Sequence, residues 1–180
     1  MSTTLIEQAL RRLGEVLEFH SDVEVLLVGG AAGMLTNQLV GGRVTIDCDV
    51  MVYSPPAALA SVELAASRVA DELELPARWF NSDVQMLAAR LPEGWERRRV
   101  HVCHVGRLRV WAASRLDLLT MKVIAGRAQD LEDLRAMRMR GDERAFVREQ
   151  LKRLAERTPA DTEIAEANML LDAIEVHERE

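Results

Sequence analysis

The chain reads as an α/β (α+β) protein, and three observations carry that reading. Short β-branched apolar runs alternate with segments whose apolar residues recur at helical spacing. Two such runs flank Gly106-Arg107 as a hairpin. Beyond Ser114 only helical patterns follow. The predicted order is α, β, α, β, α, a β-hairpin, then helix throughout.

Each element has its own signal. Leu5, Ile6, Ala9, Leu10, Leu13, Val16 and Leu17 predict a helix over Leu5–Phe19. Val23–Val28 is a buried strand ending at Gly29-Gly30, and Ala31–Leu39 resumes as a small-residue helix broken by Gly41-Gly42. Arg43–Tyr53 alternates with period two and predicts a strand. Pro55-Pro56 opens an alanine-rich helix to about Leu73, since proline suits a first helical turn. Pro76–Glu96 has no clear period, and Pro92 and Gly94 mark a loop in it. Arg99–Val105 and Leu108–Trp111 form the hairpin. Ser114 caps a helix over Arg115–Arg127, and a short one runs from Asp130 to Gly141. Two more cover Glu143–Arg157 and Pro159–Val176, the last capped by Thr158 with Asp161 as its partner. We expect one domain over residues 1–140 and a helical extension over 141–180 packed on it.

Composition excludes several classes. Of 180 residues, 48% are hydrophobic and 29% charged, so the chain is globular rather than disordered. Aromatics are 4%, too few for a base-stacking platform. No apolar run approaches a membrane span, and Met1-Ser2-Thr3-Thr4 is unlike a signal peptide; the expected location is the cytoplasm. Cys48 and Cys103 are too few for a disulfide framework. The net charge of −6 hides a pattern. Residues 1–86 carry −7, residues 87–140 carry +6 and residues 141–180 carry −5. The basic island, densest at Arg97-Arg98-Arg99, is expected to form a phosphate-facing wall.

The chemistry concentrates in Arg43-Val44-Thr45-Ile46-Asp47-Cys48-Asp49-Val50. On a strand, Arg43, Thr45, Asp47 and Asp49 share one face, and Val44, Ile46, Cys48 and Val50 share the apolar one. Aspartates two apart lie ~7 Å apart at Cα, close enough to ligate one divalent cation. Gly29-Gly30 directly after a strand lets backbone N–H groups approach a phosphate at a helix start. Asp47 and Asp49 are expected to face that turn. The glycine spacing does not fit a dinucleotide fingerprint, and no lysine follows to make a phosphate-binding loop. Lys122 stands out in a chain with 21 arginines and 2 lysines, on an apolar helix with Asp130 and Asp133 following.

Gly29-Gly30, Arg43-x-Thr45-x-Asp47-x-Asp49 and Lys122-x-x-x-Gly126-Arg127-x-x-Asp130-x-x-Asp133 together resemble the nucleotidyltransferase superfamily. Within it the resemblance is to the small bacterial AbiEii-like branch, known for toxins of toxin–antitoxin systems, and it covers roughly residues 23–137. The resemblance implies a small mixed sheet flanked by helices with a helical C-terminal part. It implies transfer of a nucleoside monophosphate from a nucleoside triphosphate to an acceptor, with release of pyrophosphate. Asp47 and Asp49 would hold Mg²⁺ or Mn²⁺, and Gly29, Gly30, Arg43, Thr45 and Lys122 would bind the nucleotide. Lys122 would neutralise phosphate charge, and Asp130 would match a later acid of the motif. Many members carry a third carboxylate on a later strand; Arg99–Val105 has none, which leaves that part to Asp130 or Asp133. A tRNA or a protein is the implied acceptor, with a cognate antitoxin as a possible partner. A catalytically silent nucleotide-binding partner and an antibiotic adenylyltransferase are the alternatives.

Overall fold

In the computed structural model, which describes residues 1–39 and 43–177, the chain opens with helix α1 (Thr3–Val16). The Ser2 hydroxyl caps it, accepting from the Leu5 N–H at 3.3 Å, and the stripe Ile6, Ala9, Leu10 and Leu13 is buried. Strand β1 (Val23–Val28) runs straight into helix α2 (Gly29–Leu35). Strand β2 (Cys48–Ser54), a 3-10 turn at Pro56–Ala58 and helix α3 (Leu59–Glu72) follow. Next come the two-residue strand β3 (Phe80–Asn81), a 3-10 segment Gln85–Arg90 and the one-turn helix α4 (Trp95–Arg98). The hairpin is β4 (Val100–Val105) and β5 (Leu108–Ala112). Helices α5 (Arg115–Ala125), α6 (Ala128–Met137), α7 (Gly141–Arg157) and α8 (Thr162–His177) then follow.

The sheet is mixed, with strand order β3-β2-β1-β5-β4. β1 is antiparallel to β2 and parallel to β5, β3 is parallel to β2, and β4 is antiparallel to β5. On one sheet face Val23, Val25 and Leu27 align with Leu108, Val110 and Ala112, and all six are buried. On the other face Glu24 is level with Arg109, Leu26 with Trp111, and Val28 with Asp49. The fold is thus mixed α/β, as the element order predicts.

Two compact units make up the chain. One is Met1–Ala89 with Glu96–Ser114; the other is Arg90–Trp95 with Arg115–Glu180. The first holds the whole sheet. Its core joins the inner stripe of α1, the sheet's buried face, Val62, Ala66 and Val69 of α3, and the fully buried Trp79, whose indole donates to the Ala66 carbonyl at 2.9 Å. The second is helical, with a core of Leu118, Leu119, Val123, Leu151, Ile164 and Leu171.

Several elements differ from expectation. The strand expected over Arg43–Tyr53 begins only at Cys48. Val44 and Ile46, expected in the core, are 61% and 76% exposed. The cause is a lack of partners. The β1 ladder ends at Val28 opposite Asp49, and β3 pairs only with Cys48 and Asp49. α2 begins at Gly29 rather than Ala31 and stops at Leu35; the Gly41-Gly42 break lies outside the described residues. Thr158 closes α7 instead of opening α8, and Asp161 caps the latter by accepting from the Glu163 N–H at 3.1 Å. β3 lies in the segment that has no sequence period.

Candidate active site

The site forms where β1 ends. Val28 is opposite Asp49 on β2, and the chain then turns at Gly29 with φ of +64°, a left-handed conformation that side chains disfavour. A Cβ at Gly29 would stand 3.1 Å from Asp49 Oδ2, and one at Gly30 would stand 3.2 Å from Thr45 Oγ1. The double glycine therefore lets a strand carboxylate and a loop hydroxyl lie directly against the turn. Thr45 is held in turn: its hydroxyl donates to the Asp47 carbonyl at 3.2 Å, and its N–H donates to the Met1 carbonyl at 3.1 Å. Asp47, Asp49 and Arg43 are half-buried. The structure brings Gly29, Gly30, Thr45 and Asp49 into one place, and links Asp47 to them through the Thr45 hydroxyl.

This donor set fits a hard divalent cation. Carboxylate and hydroxyl oxygens are the ligands such ions prefer, and the loop supplies them beside a turn that glycine keeps open. Cys48 does not join them. Its buried thiol is pushed well up, first by desolvation and then by the neighbouring charges of Asp47 and Asp49, so no thiolate forms there. Among the described residues no group of three or more His, Cys, Asp or Glu side chains is assembled to hold a metal.

Lys122, Asp130 and Asp133 meet in the helical unit, because α5 and α6 are joined by two residues only. Lys122 is 4% exposed, and its Nζ donates to Asp130 Oδ1 at 3.1 Å and to Asp133 Oδ2 at 2.7 Å. Arg127 Nε donates to Asp130 Oδ2 at 2.7 Å. Burial alone would raise the Asp130 carboxyl. The Arg127 hydrogen bond and the Lys122 ammonium outweigh it, and the group stays below the ordinary carboxylate range. A second cluster in this unit has no counterpart in the sequence reading. Buried Glu143 accepts from Arg115 Nε at 2.7 Å and from the Arg140 N–H at 2.9 Å, and Arg115 also donates to the Met137 carbonyl at 2.6 Å. Its carboxyl too lies below the usual range, because these donors and charges overcome desolvation.

The basic island is largely answered by acids. In the sheet unit Arg99 pairs with Glu24 at 2.9 Å and stacks over Trp111 at 4.1 Å. Arg109 pairs with Asp22 at 2.7 Å, and Arg107 approaches the same carboxylate at 3.6 Å. In the helical unit Arg90 binds Asp161 and Glu163, and Arg115 binds Glu143. Exposed Arg97 remains on the surface of α4. The charge excess counted along the chain is therefore not a bare cationic wall in space.

One polar residue of the site region escapes sequence reasoning. The strands beside β2 are β1 and the later β3, whereas β4 lies at the far edge of the sheet. The third-carboxylate question therefore concerns Phe80–Asn81 rather than Arg99–Val105. There Asn81, not an acid, is level with Asp49 and buried. No periodicity could flag a two-residue strand.

No helix is long and apolar enough to cross a membrane among the described residues. No curated protein and no solved structure matches the chain. A family model described as a nucleotidyltransferase of unknown function, DUF6036, matches residues 5–171 and so spans the glycine turn, the aspartate pair and the Lys122 cluster. The chain belongs to this DUF6036 family of nucleotidyltransferases.

Proposed function

We propose that the protein is a metal-dependent nucleotidyltransferase of the AbiEii-like kind, moving a nucleoside monophosphate from a nucleoside triphosphate to a tRNA-like or protein acceptor. The observation that carries this is the close approach of the Asp49 carboxylate to Gly29 and of the Thr45 hydroxyl to Gly30. Asp47 and Asp49 hold Mg²⁺ or Mn²⁺, which when bound offsets charge on the attacking and leaving oxygens. Gly29 and Gly30 leave the triphosphate room beside the acids, and the Thr45 hydroxyl and Arg43 orient its oxygens. Lys122 and Asp130, the other residues the resemblance suggests, belong to the helical unit, where the ammonium is already bonded to Asp130 and Asp133; no step of the transfer is assigned to them. The acceptor nucleophile forms a bond to the α-phosphorus and loses its proton; the bond to the bridging oxygen breaks and pyrophosphate departs.

A toxin acting within a toxin–antitoxin pair is the biological role consistent with this chemistry. Ion pairing of Arg99, Arg107 and Arg109 with Asp22 and Glu24 reduces the cationic surface offered to RNA. The RNA arm of the proposal accordingly falls on exposed positions such as Arg97. The experiment is label transfer from each of the four radiolabelled triphosphates, with Mg²⁺ and total RNA, by the wild type and Asp49→Asn. Transfer by the wild type that Asp49→Asn abolishes supports the proposal. Retained transfer in the variant moves the active site elsewhere, and no transfer by either protein favours a silent nucleotide-binding partner.

A further inference from the structure

β3 has only two residues, yet it is firmly held. Trp79 before it is fully buried, its indole bonds to Ala66 of α3, and its carbonyl accepts from the Cys48 N–H. That anchoring brings Phe80 level with Cys48 and Asn81 level with Asp49 in parallel register. Neighbouring strands lie about 4.8 Å apart, and residues paired in register point to the same face. Asn81 is thus the cross-strand neighbour of Asp49 on the side away from β1, while Val28 is its neighbour on the other.

The Asn81 side chain is buried, and its orientation is set. Its Oδ1 accepts from the Asp83 N–H at 3.1 Å, and its Nδ2 reaches toward the Arg78 carbonyl at 3.4 Å. An amide oxygen has two lone pairs, so the contact from Asp83 leaves one for another partner. Amide oxygens are hard, neutral donors that divalent cations accept beside carboxylates.

We infer that Asn81 is the third cation-facing residue of the site, a neutral donor beside Asp49 that limits the site to two formal negative charges and one divalent cation. The inference rests on the metal-dependent reading above and extends it to a residue on a different strand. Affinity for such ions rises with the number of charged ligands. An aspartate at this position would bind the cation more tightly and, without it, would repel Asp49. It would also keep the acceptor for the Asp83 N–H, so the turn itself survives the exchange.

The test is a titration of the full chain with Mn²⁺, reading free ion by electron paramagnetic resonance, together with thermal midpoints in the presence of chelator. The proteins are wild type, Asn81→Asp, Asp49→Asn and the Asn81→Asp/Asp49→Asn double variant. We expect Asn81→Asp to tighten Mn²⁺ binding about tenfold or more and to lower the metal-free midpoint, with the gain lost in the double variant. A merely structural asparagine predicts unchanged affinity, because aspartate keeps the acceptor for the Asp83 N–H and gives up only the 3.4 Å contact to the Arg78 carbonyl, which touches no cation. Wild-type binding that needs Asp49 but ignores Asn81→Asp overturns this inference and leaves the metal-dependent reading standing. Binding by Asn81→Asp alone, dependent on Asp49, supports the inference while overturning the metal dependence of the natural chain. Binding by none of the proteins overturns both.

Discussion

The sheet unit and the helical unit each gather two aspartates, and they treat them in opposite ways. In the helical unit Asp130 and Asp133 are buried, and their counter-charge is supplied by the chain itself, as the Lys122 ammonium within 3.1 Å of both. In the sheet unit Asp47 and Asp49 are half-buried, and Asp49 lies against a glycine turn where no Cβ intrudes. A buried carboxylate pair must be compensated in the folded chain, because desolvated charge costs several kcal/mol. A half-buried pair keeps part of its contact with solvent, and so stays accessible to an external cation. The same residue type is thus architectural in one unit and a candidate for chemistry in the other.

The sharpest way to break this contrast is to remove the resident cation. Lys122→Met leaves two buried carboxylates without their ammonium, and should cost about 3–5 kcal/mol of stability in denaturant titrations. A loss below about 1 kcal/mol would show that the helical unit's acids are not held by Lys122, and would erase the distinction.

Acid is the next lever. Asp130 and Glu143 have folded-state pKa values below the ordinary range, so the stability they contribute is fully present above about pH 4–5. It is lost as pH falls through their lowered folded values, because the unfolded chain then binds more protons. Acid titration of unfolding should therefore show a steep loss below about pH 4 that is shallower in Asp130→Asn. An identical slope in that variant would mean the cluster gives no net stabilisation.

Gly29→Ala tests the turn that the sheet unit depends on. A left-handed conformation costs an L-residue about 1–2 kcal/mol, and the new methyl must also press on Asp49 Oδ2. We expect a stability loss of that size in denaturant titrations, with loss of Mn²⁺ binding; a neutral effect on both would remove the turn from the site.

The smallest expected effect is the most informative. Asp49→Asn without metal should change stability by no more than about 1 kcal/mol, since the site is half-solvated and asparagine retains an oxygen. A loss as large as that of Lys122→Met would make Asp49 architectural too, and the two units would no longer differ.

Some of this was plain in the amino-acid order. β1 is read to the residue, since a mostly buried strand stands out as a short apolar run, here broken only by Glu24. The hairpin is equally local, with Gly106 at φ of +57° between Val105 and Leu108. The residue types of the site are also local: a double glycine after a strand and aspartates two apart carry their chemistry wherever they fold. The alternation from Arg43 to Asp47 misleads for an instructive reason. Period two records which side chains share a face, but a strand forms only where another strand supplies hydrogen bonds, and among the described residues of this segment none pairs before Cys48.

The remaining features depend on distant segments meeting. Asn81 beside Asp49 is a matter of register across 32 residues of chain, carried by a strand too short to have a period. Asp22 and Glu24 quench arginines that a running charge count leaves exposed, because ion pairs follow distance in space rather than order along the chain. Local pattern sets the turn, the strand and the acids, since these arise from backbone preference and side-chain period. Which strand lies beside Asp49, and which charges find partners, is decided only when packing closes the loops between them.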